Sequence, residues 1–218
     1  VSNGRHICRT NDDGGFCLPY WEKSAAVFVM LLTNGQDDWY ILTENHSEEY
    51  IFYIEPSEIS AENFCFLHMS DTEIENIRQC IFMPDVQKAV TENKPAFLIN
   101  TGDLCRADGV KLHIRHMNSR TAGCPVRYTI GNHDFLEGPY GEYAYERLYG
   151  PLWYSFDCGN IHFAAAPIAK GDFPSGYDEE DFWLWLEKDL EMMKPGQKAV
   201  IFGHTHCKDL RQFRPEIG

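Results

Sequence analysis

From Phe64 onward, strand-sized apolar runs alternate with amphipathic segments, and that alternation restricts the chain to layered α/β architectures. The runs are FCFLHMS (64–70), PAFLIN (95–100), PVRYTI (125–130) and KAVIF (198–202). Between them, Ile74, Ile77 and Ile81 stand at helical spacing, and 85–92 and 109–119 read as further helices. Residues 177–193 give the clearest helical pattern, with Phe182, Leu186, Leu190 and Met193 on one face. Carboxylates from Asp178 to Asp181 suit the positive end of that helix, and Pro195 and Gly196 close it. WYSFD (153–157) and NIHFAAA (160–166) flank Cys158 and Gly159 and read as adjacent strands.

The first 60 residues have a different texture. Turn-forming clusters (11–15 and 33–38) separate strand candidates at 16–20, 25–32, 39–43 and 50–56. This region is expected to be a small β module, residues 1–60, ahead of a larger domain over 64–218. Both are expected to be incomplete, the chain being partial or shortened at its two ends.

The strand ends carry an unusual load. Asp71 and Glu73 follow the first of the four runs, Asp103 the second, Asn132, His133 and Asp134 the third, and His204 and His206 the last. In open α/β sheets, sites assemble at the carboxyl ends of strands. Carboxylates, imidazoles and an amide oxygen are all ligands for divalent metals, and one Asp can bridge two ions. Gly102, Gly131 and Gly203 let the backbone turn sharply there. Taken singly, TGD reads as a turn and the two histidines fall short of a structural zinc signature. Their conjunction points to a two-metal site able to activate water and clamp a phosphoryl group.

Composition narrows the partners. With 33 acidic against 19 basic residues, the formal charge is −14, which opposes attraction to nucleic-acid backbones. No apolar run reaches membrane-spanning length. Eight cysteines without a CxxC pair read as buried thiols, with disulfides the alternative. Asn45-His46-Ser47 accepts a glycan only in a eukaryotic secretory setting. Localisation stays open, with a secreted, periplasmic or surface-attached protein favoured over a cytoplasmic one. Oligomeric state is not legible.

The stretches SDTE, TGDL, GNHD and GHTH, with YSFDCGNIHF and WLEKDL, resemble calcineurin-like metallophosphoesterases, in particular the purple-acid-phosphatase-like branch and related bacterial enzymes. The resemblance runs from Phe64 to about Asp209. TNDDGGFCLP and IFYIEP resemble, more weakly, the small β-sandwich domain of some Bacteroides-type members. The resemblance implies an αββα sandwich of two mixed sheets around two divalent ions (Mn, Fe, Zn or Mg). It implies that Asp71 ligates the first ion, Asp103 bridges both and Asn132 ligates the second. His133 would contact the phosphate and protonate the leaving oxygen, oriented by Asp134.

Glu73 departs from the family pattern, standing where Asp-x-His or Asp-x-Gln is usual. GHTH can be read in two ways. By spelling, His204 and His206 ligate the second and first ions; by position, His204 alone ligates. His162 is the nearby spare imidazole, and core or hydrogen-bonding duty is expected of it, as of His68 and His113. The implied activity is hydrolysis of phosphate mono- or diesters, with a metal-bridging hydroxide attacking phosphorus in line. The substrate is a small phosphate ester or a phosphorylated molecule. The alternatives are a catalytically impaired binding or interaction protein on the same fold, and zinc held structurally by four protein ligands.

Overall fold

The computed structural model describes residues 1–35, 38–45, 48–55, 63–106, 109–135, 141–167 and 175–205. Three short parallel strands, β3 (Leu67–Met69), β4 (Leu98–Asn100) and β5 (Val126–Tyr128), form one sheet in that order. They are preceded by an antiparallel pair, β1 (Ala26–Phe28) and β2 (Tyr40–Leu42), that makes a small sheet of its own. A second main sheet is mixed. In it β6 (Tyr154–Cys158) and β7 (Ile161–Ala165) form a hairpin, and β8 (Lys198–Phe202) lies parallel to β7. Helix α1 (Met83–Asn93) connects β3 to β4. Helices α2 (Gly109–His116) and α3 (Ser119–Ala122) connect β4 to β5, α4 (Glu142–Tyr149) leads to β6, and α5 (Glu179–Glu191) carries the crossover from β7 to β8. This is the layered α/β architecture expected from the alternation of runs, arranged as the αββα sandwich of two sheets that the resemblance implied.

Phenylalanines join the two main sheets. Phe97, just before β4, meets Phe156 of β6 and Phe163 of β7 at ring-centroid distances of 5.1 and 5.0 Å. Phe66, just before β3, lies 5.7 Å from both Phe163 and Phe202. Each fully buried ring contributes about 1.5–3 kcal/mol from apolar burial. On β7 the alternation sends Phe163 into this core, while His162 meets Asp189 of α5 on the other face. Helix α5 begins where its carboxylates predict: Asp178 caps it, accepting from the Glu180 amide.

The isoleucine spacing after β3 does not produce one helical face. Ile74 is fully buried in a bridge to Cys105, whereas Ile77 and Ile81 are 54% and 79% exposed. The Ile74 amide still donates to the Leu104 carbonyl, so the chain is laced to its neighbour at that point. Only after the Asn76 cap does a 3₁₀ turn, Ile77–Phe82, begin. The run at 16–20 and the described part of the last one, 50–55, are not strands either. Pro19 has no amide to give a ladder, and Phe16 packs instead on Phe52, 6.2 Å between centroids.

The N-terminal sheet packs on the same core as the sandwich. Phe28 lies 6.3 Å from Trp185 of α5. The Trp185 indole donates to Ser2 Oγ, and the Trp153 indole to the Gly4 carbonyl, each at 2.9 Å. Buried Arg127 of β5 places its guanidinium 4.9 Å from the Trp39 ring centre and donates to Thr33 Oγ1 at 2.9 Å. Cysteines 8, 17, 65, 80, 105, 124 and 158 are free thiols, and Cys105, Cys124 and Cys158 are buried. Residues 46 and 47 of the glycosylation triplet, and Cys207, lie outside the described residues. No helix among the described residues is long and apolar enough to cross a membrane.

His162 sits between two carboxylates, donating from Nδ1 to Asp157 at 2.8 Å and from Nε2 to Asp189 at 2.9 Å. Burial opposes its charge, but the two carboxylates outweigh burial and raise it from 6.5 to about 9. A group whose folded pKa is raised contributes stability that is fully present below its unfolded value and is lost as pH rises through the folded one. Asp157 is held below its ordinary value, so its own contribution is lost in acid, outside this window. Denaturant unfolding across pH 6.5 to 9 is therefore expected to show stability falling with rising pH. H162Q should make that slope shallower, the remainder coming from His204, which is raised over the same range; an unchanged slope would remove His162 as a source.

Candidate metal centre

The loops after β3 and β4 run side by side and continue the parallel ladder. The Asp71 amide donates to the Gly102 carbonyl, Glu73 to Asp103 and Ile74 to Leu104, at 3.0, 3.0 and 3.1 Å. Within these loops Asp71, Glu73 and Asp103 hold left-handed backbones, with φ of 56°, 43° and 50°. Such conformations cost side-chain-bearing residues about 1–2 kcal/mol each. They persist where surrounding bonds enforce them, and here they turn three carboxylates toward one another.

The third loop presses against the second without clearance. A Cβ added at Gly131 would meet the Asp103 amide nitrogen at 2.0 Å and Asp103 Oδ1 at 2.3 Å. One added at Gly102 would meet Gly131 at 2.6 Å. Asn132, His133 and Asp134 form a 3₁₀ turn beyond this contact, and the His133 amide donates to Asp103 Oδ1 at 2.9 Å.

Asp103, only 4% exposed, is the shared member of the site. Its Oδ2 lies 3.2 Å from His133 Nδ1 and 3.3 Å from His204 Nε2. Burial would raise its pKa, but His204 and His133 outweigh burial and hold it below the ordinary value. Glu73 is lowered by Arg106 ahead of His133, against burial. Arg106 Nη2 lies 2.9 and 2.8 Å from the two Glu73 oxygens, and His133 Nδ1 donates to Oε1 at 2.6 Å. Two triads result, Asp71–Asp103–His204 and Glu73–Asp103–His133, each with ligand atoms within 4.8 Å of one another.

The donor chemistry suits divalent ions. His204, after β8, donates from Nδ1 to the Thr101 carbonyl at 2.9 Å. That bond turns Nε2 toward Asn132 Oδ1, 3.0 Å away, and toward Asp103 Oδ2. A ring nitrogen facing two oxygens is stable around a positive charge. Without an ion, a proton supplies it, and the carboxylate of Asp103 raises His204 to about 9. A cation could take the proton's place, ligated by the nitrogen and the oxygens together. The residues present therefore fit two ions sharing Asp103.

Six of the eight residues singled out from sequence, Asp71, Glu73, Asp103, Asn132, His133 and His204, meet at this rim. His206 lies outside the described residues. Asp134 sits differently from expectation. Its Oδ1 accepts the Leu104 amide at 2.8 Å and its Oδ2 the Gly131 amide at 2.7 Å, so it binds main chain rather than the His133 ring. A buried carboxylate beside unpaired amides satisfies them first. Burial raises it to about 7 despite these bonds. It ties the turn that carries His133 to the loop after β4.

The spare histidines lie apart from the two triads. His68 bonds Thr101 Oγ1 at 2.9 Å, His162 pairs with Asp157 and Asp189, and His113 is buried and lowered to about 3 by burial. Arg106 was not singled out from sequence, although it stands three residues after Asp103. Thr101 was also passed over; its role here is through its carbonyl, which residue type does not reveal.

An αββα sandwich with carboxylates and imidazoles gathered at the strand ends defines a dinuclear metallohydrolase fold. Residues 65–208 match the calcineurin-like phosphoesterase family, and the chain belongs to it. Among solved structures, the chain is similar to a dimetal phosphatase from Danio rerio, at 14% identity and TM-score 0.49, covering 65% of this chain and 69% of that one. It is also similar to a purple acid phosphatase from yellow lupin (Lupinus luteus) seeds, at 15% identity and TM-score 0.44, covering 67% of this chain and 31% of that one. No curated protein matches.

The tight loop contact gives a direct test. G131A should force the second and third loops apart and weaken Mn²⁺ binding by about tenfold or more, read by calorimetry, because misplaced supporting groups commonly cost that much. D134A should leave buried amides unpaired and lower unfolding free energy by about 1–3 kcal/mol. Wild-type values for both variants would show that the turn is held by other contacts.

Proposed function

We propose that this protein hydrolyses phosphate mono- or diesters with two divalent ions, the reading supported by one observation above others: two ligand triads that share Asp103. Asp71, Asp103, Asn132 and His204 would hold one side of the centre, and Glu73 with Asp103 the other, a division that differs from the one the resemblance implied, in which Asp71 ligates the first ion and Asn132 and His204 the second. When bound, the ions would lower the pKa of a shared water and neutralise phosphoryl charge. His133 groups with Glu73 and Asp103 by distance but is assigned to the substrate, which leaves Glu73 and Asp103 as the second position's ligands. Its Nδ1 is committed to Glu73, which leaves Nε2 to donate a proton to the departing oxygen. Asp103 steadies the same residue from its other end by accepting the His133 amide.

The region before about residue 60 is proposed to accompany the phosphoesterase unit as a β module with its own sheet, as in members that carry an N-terminal β domain. A second reading, a phosphoesterase fold with reduced turnover, is favoured by Glu73, which occupies a place usually held by a neutral ligand and is already paired to Arg106.

Both readings are separated by assay of p-nitrophenyl phosphate and of p-nitrophenyl phenylphosphonate with Mg²⁺, Mn²⁺, Zn²⁺ and Fe²⁺ supplied separately. Hydrolysis abolished by chelation and by D103A is expected. H133A should retain its ions while turnover falls about 10²-fold. Equal kinetics for H133A would remove the proton-transfer role, and absence of turnover with every metal would favour the second reading.

A further inference from the structure

Glu73 and Asp71 sit two residues apart on the same loop, yet their surroundings differ. Arg106 reaches both oxygens of Glu73, at 2.9 and 2.8 Å, and His133 Nδ1 adds a third contact at 2.6 Å. Arg106 is anchored beneath by its own amide, which donates to the Ile74 carbonyl at 3.0 Å. Asp71 has the Ser70 hydroxyl on one oxygen and, among the described residues, no ion pair. An incoming cation therefore meets at Asp71 a carboxylate with no fixed counter-charge, beside a His204 that can yield its proton, and at Glu73 a carboxylate already paired with a charge that cannot be lost.

A guanidinium cannot vacate by losing a proton, because it stays charged at any working pH. It can leave only by swinging away, which its half-exposed side chain permits. Arg106 also offsets the charge that a glutamate adds where a neutral ligand is usual.

We propose that Arg106 is a positioning residue that acts as an internal counter-cation for Glu73, so that the two metal positions fill unequally: the Asp71–Asp103–His204 position first, and the Glu73 position only when Arg106 releases its carboxylate. The proposal rests on the dinuclear reading given above. It makes occupancy of the second position, rather than its existence, the quantity that Arg106 controls. It also places a cation within reach of the site rim, so that metal uptake at Glu73 and release of the Arg106 guanidinium are one event.

The test is a Mn²⁺ titration of the full chain, followed by calorimetry and by the electron paramagnetic resonance signal of free Mn²⁺. Wild type is expected to show a stronger and a weaker binding event. R106Q should tighten the weaker event by about fivefold and move the stronger one by less than about twofold, the scale set by freeing a partly exposed carboxylate from an ion pair. R106K, which keeps the charge but loses the forked grip, should fall between them. In an E73Q background, adding R106Q should change nothing, since the carboxylate that Arg106 guards is gone.

An unchanged or weakened second event in R106Q would overturn the proposal, as would equal tightening with and without Glu73. Mn²⁺ uptake that ignores Arg106 would sink this inference and leave the dinuclear reading standing. No uptake in wild type or R106Q would overturn both. Unchanged circular dichroism for R106Q and R106K is the folding control.

Discussion

The close approach of three loops at Asp103 governs the rest of the site. Its backbone is left-handed and its carbonyl accepts the Glu73 amide. Its Oδ1 accepts the His133 amide, and its Oδ2 faces two imidazoles. Gly131 has to lack a side chain for this to occur, because a methyl would sit 2.0 Å from the Asp103 nitrogen. A carboxylate so enclosed is expensive to ionise, and imidazoles on two sides stabilise its charge. Moving any one loop would disturb both triads at once, since both contain this residue.

Among the described residues, the second sheet takes part through His204. His204 follows β8, and β8 is held against the first sheet by Phe202, whose ring lies 5.7 Å from Phe66. The aromatic layer thus sets the distance between sheets and, with it, the distance of His204 from Asn132 and Asp103. Packing and chemistry are coupled here: cavities cut in the phenylalanine layer would be felt at the rim.

Much of the fold was legible in the sequence because apolar runs and helical stripes are local patterns. The strands β3, β4, β5 and β8 fall within the runs read for them, and α5 begins at its acidic turn. The isoleucine stripe misled because Ile74 is buried by a bridge to Cys105, a partner 31 positions away that periodicity cannot see. The runs at 16–20 and 50–56 have strand-like composition, yet composition does not supply a neighbouring edge to bond to.

Residue chemistry alone made Asp71, Glu73, Asp103, Asn132, His133 and His204 candidates, since few other roles gather such groups at successive strand ends. Tertiary structure decided how they divide. It assigned Asp103 to both triads, gave the Asp134 carboxylate to backbone amides and paired Glu73 with Arg106. For His68, His113 and His162 it supplied the particular bonds or burial that had been expected only in kind. The physical reason is that ligand type is a property of a side chain, whereas hydrogen-bond partners and burial are set by which loops the sheets bring within a few ångströms of each other.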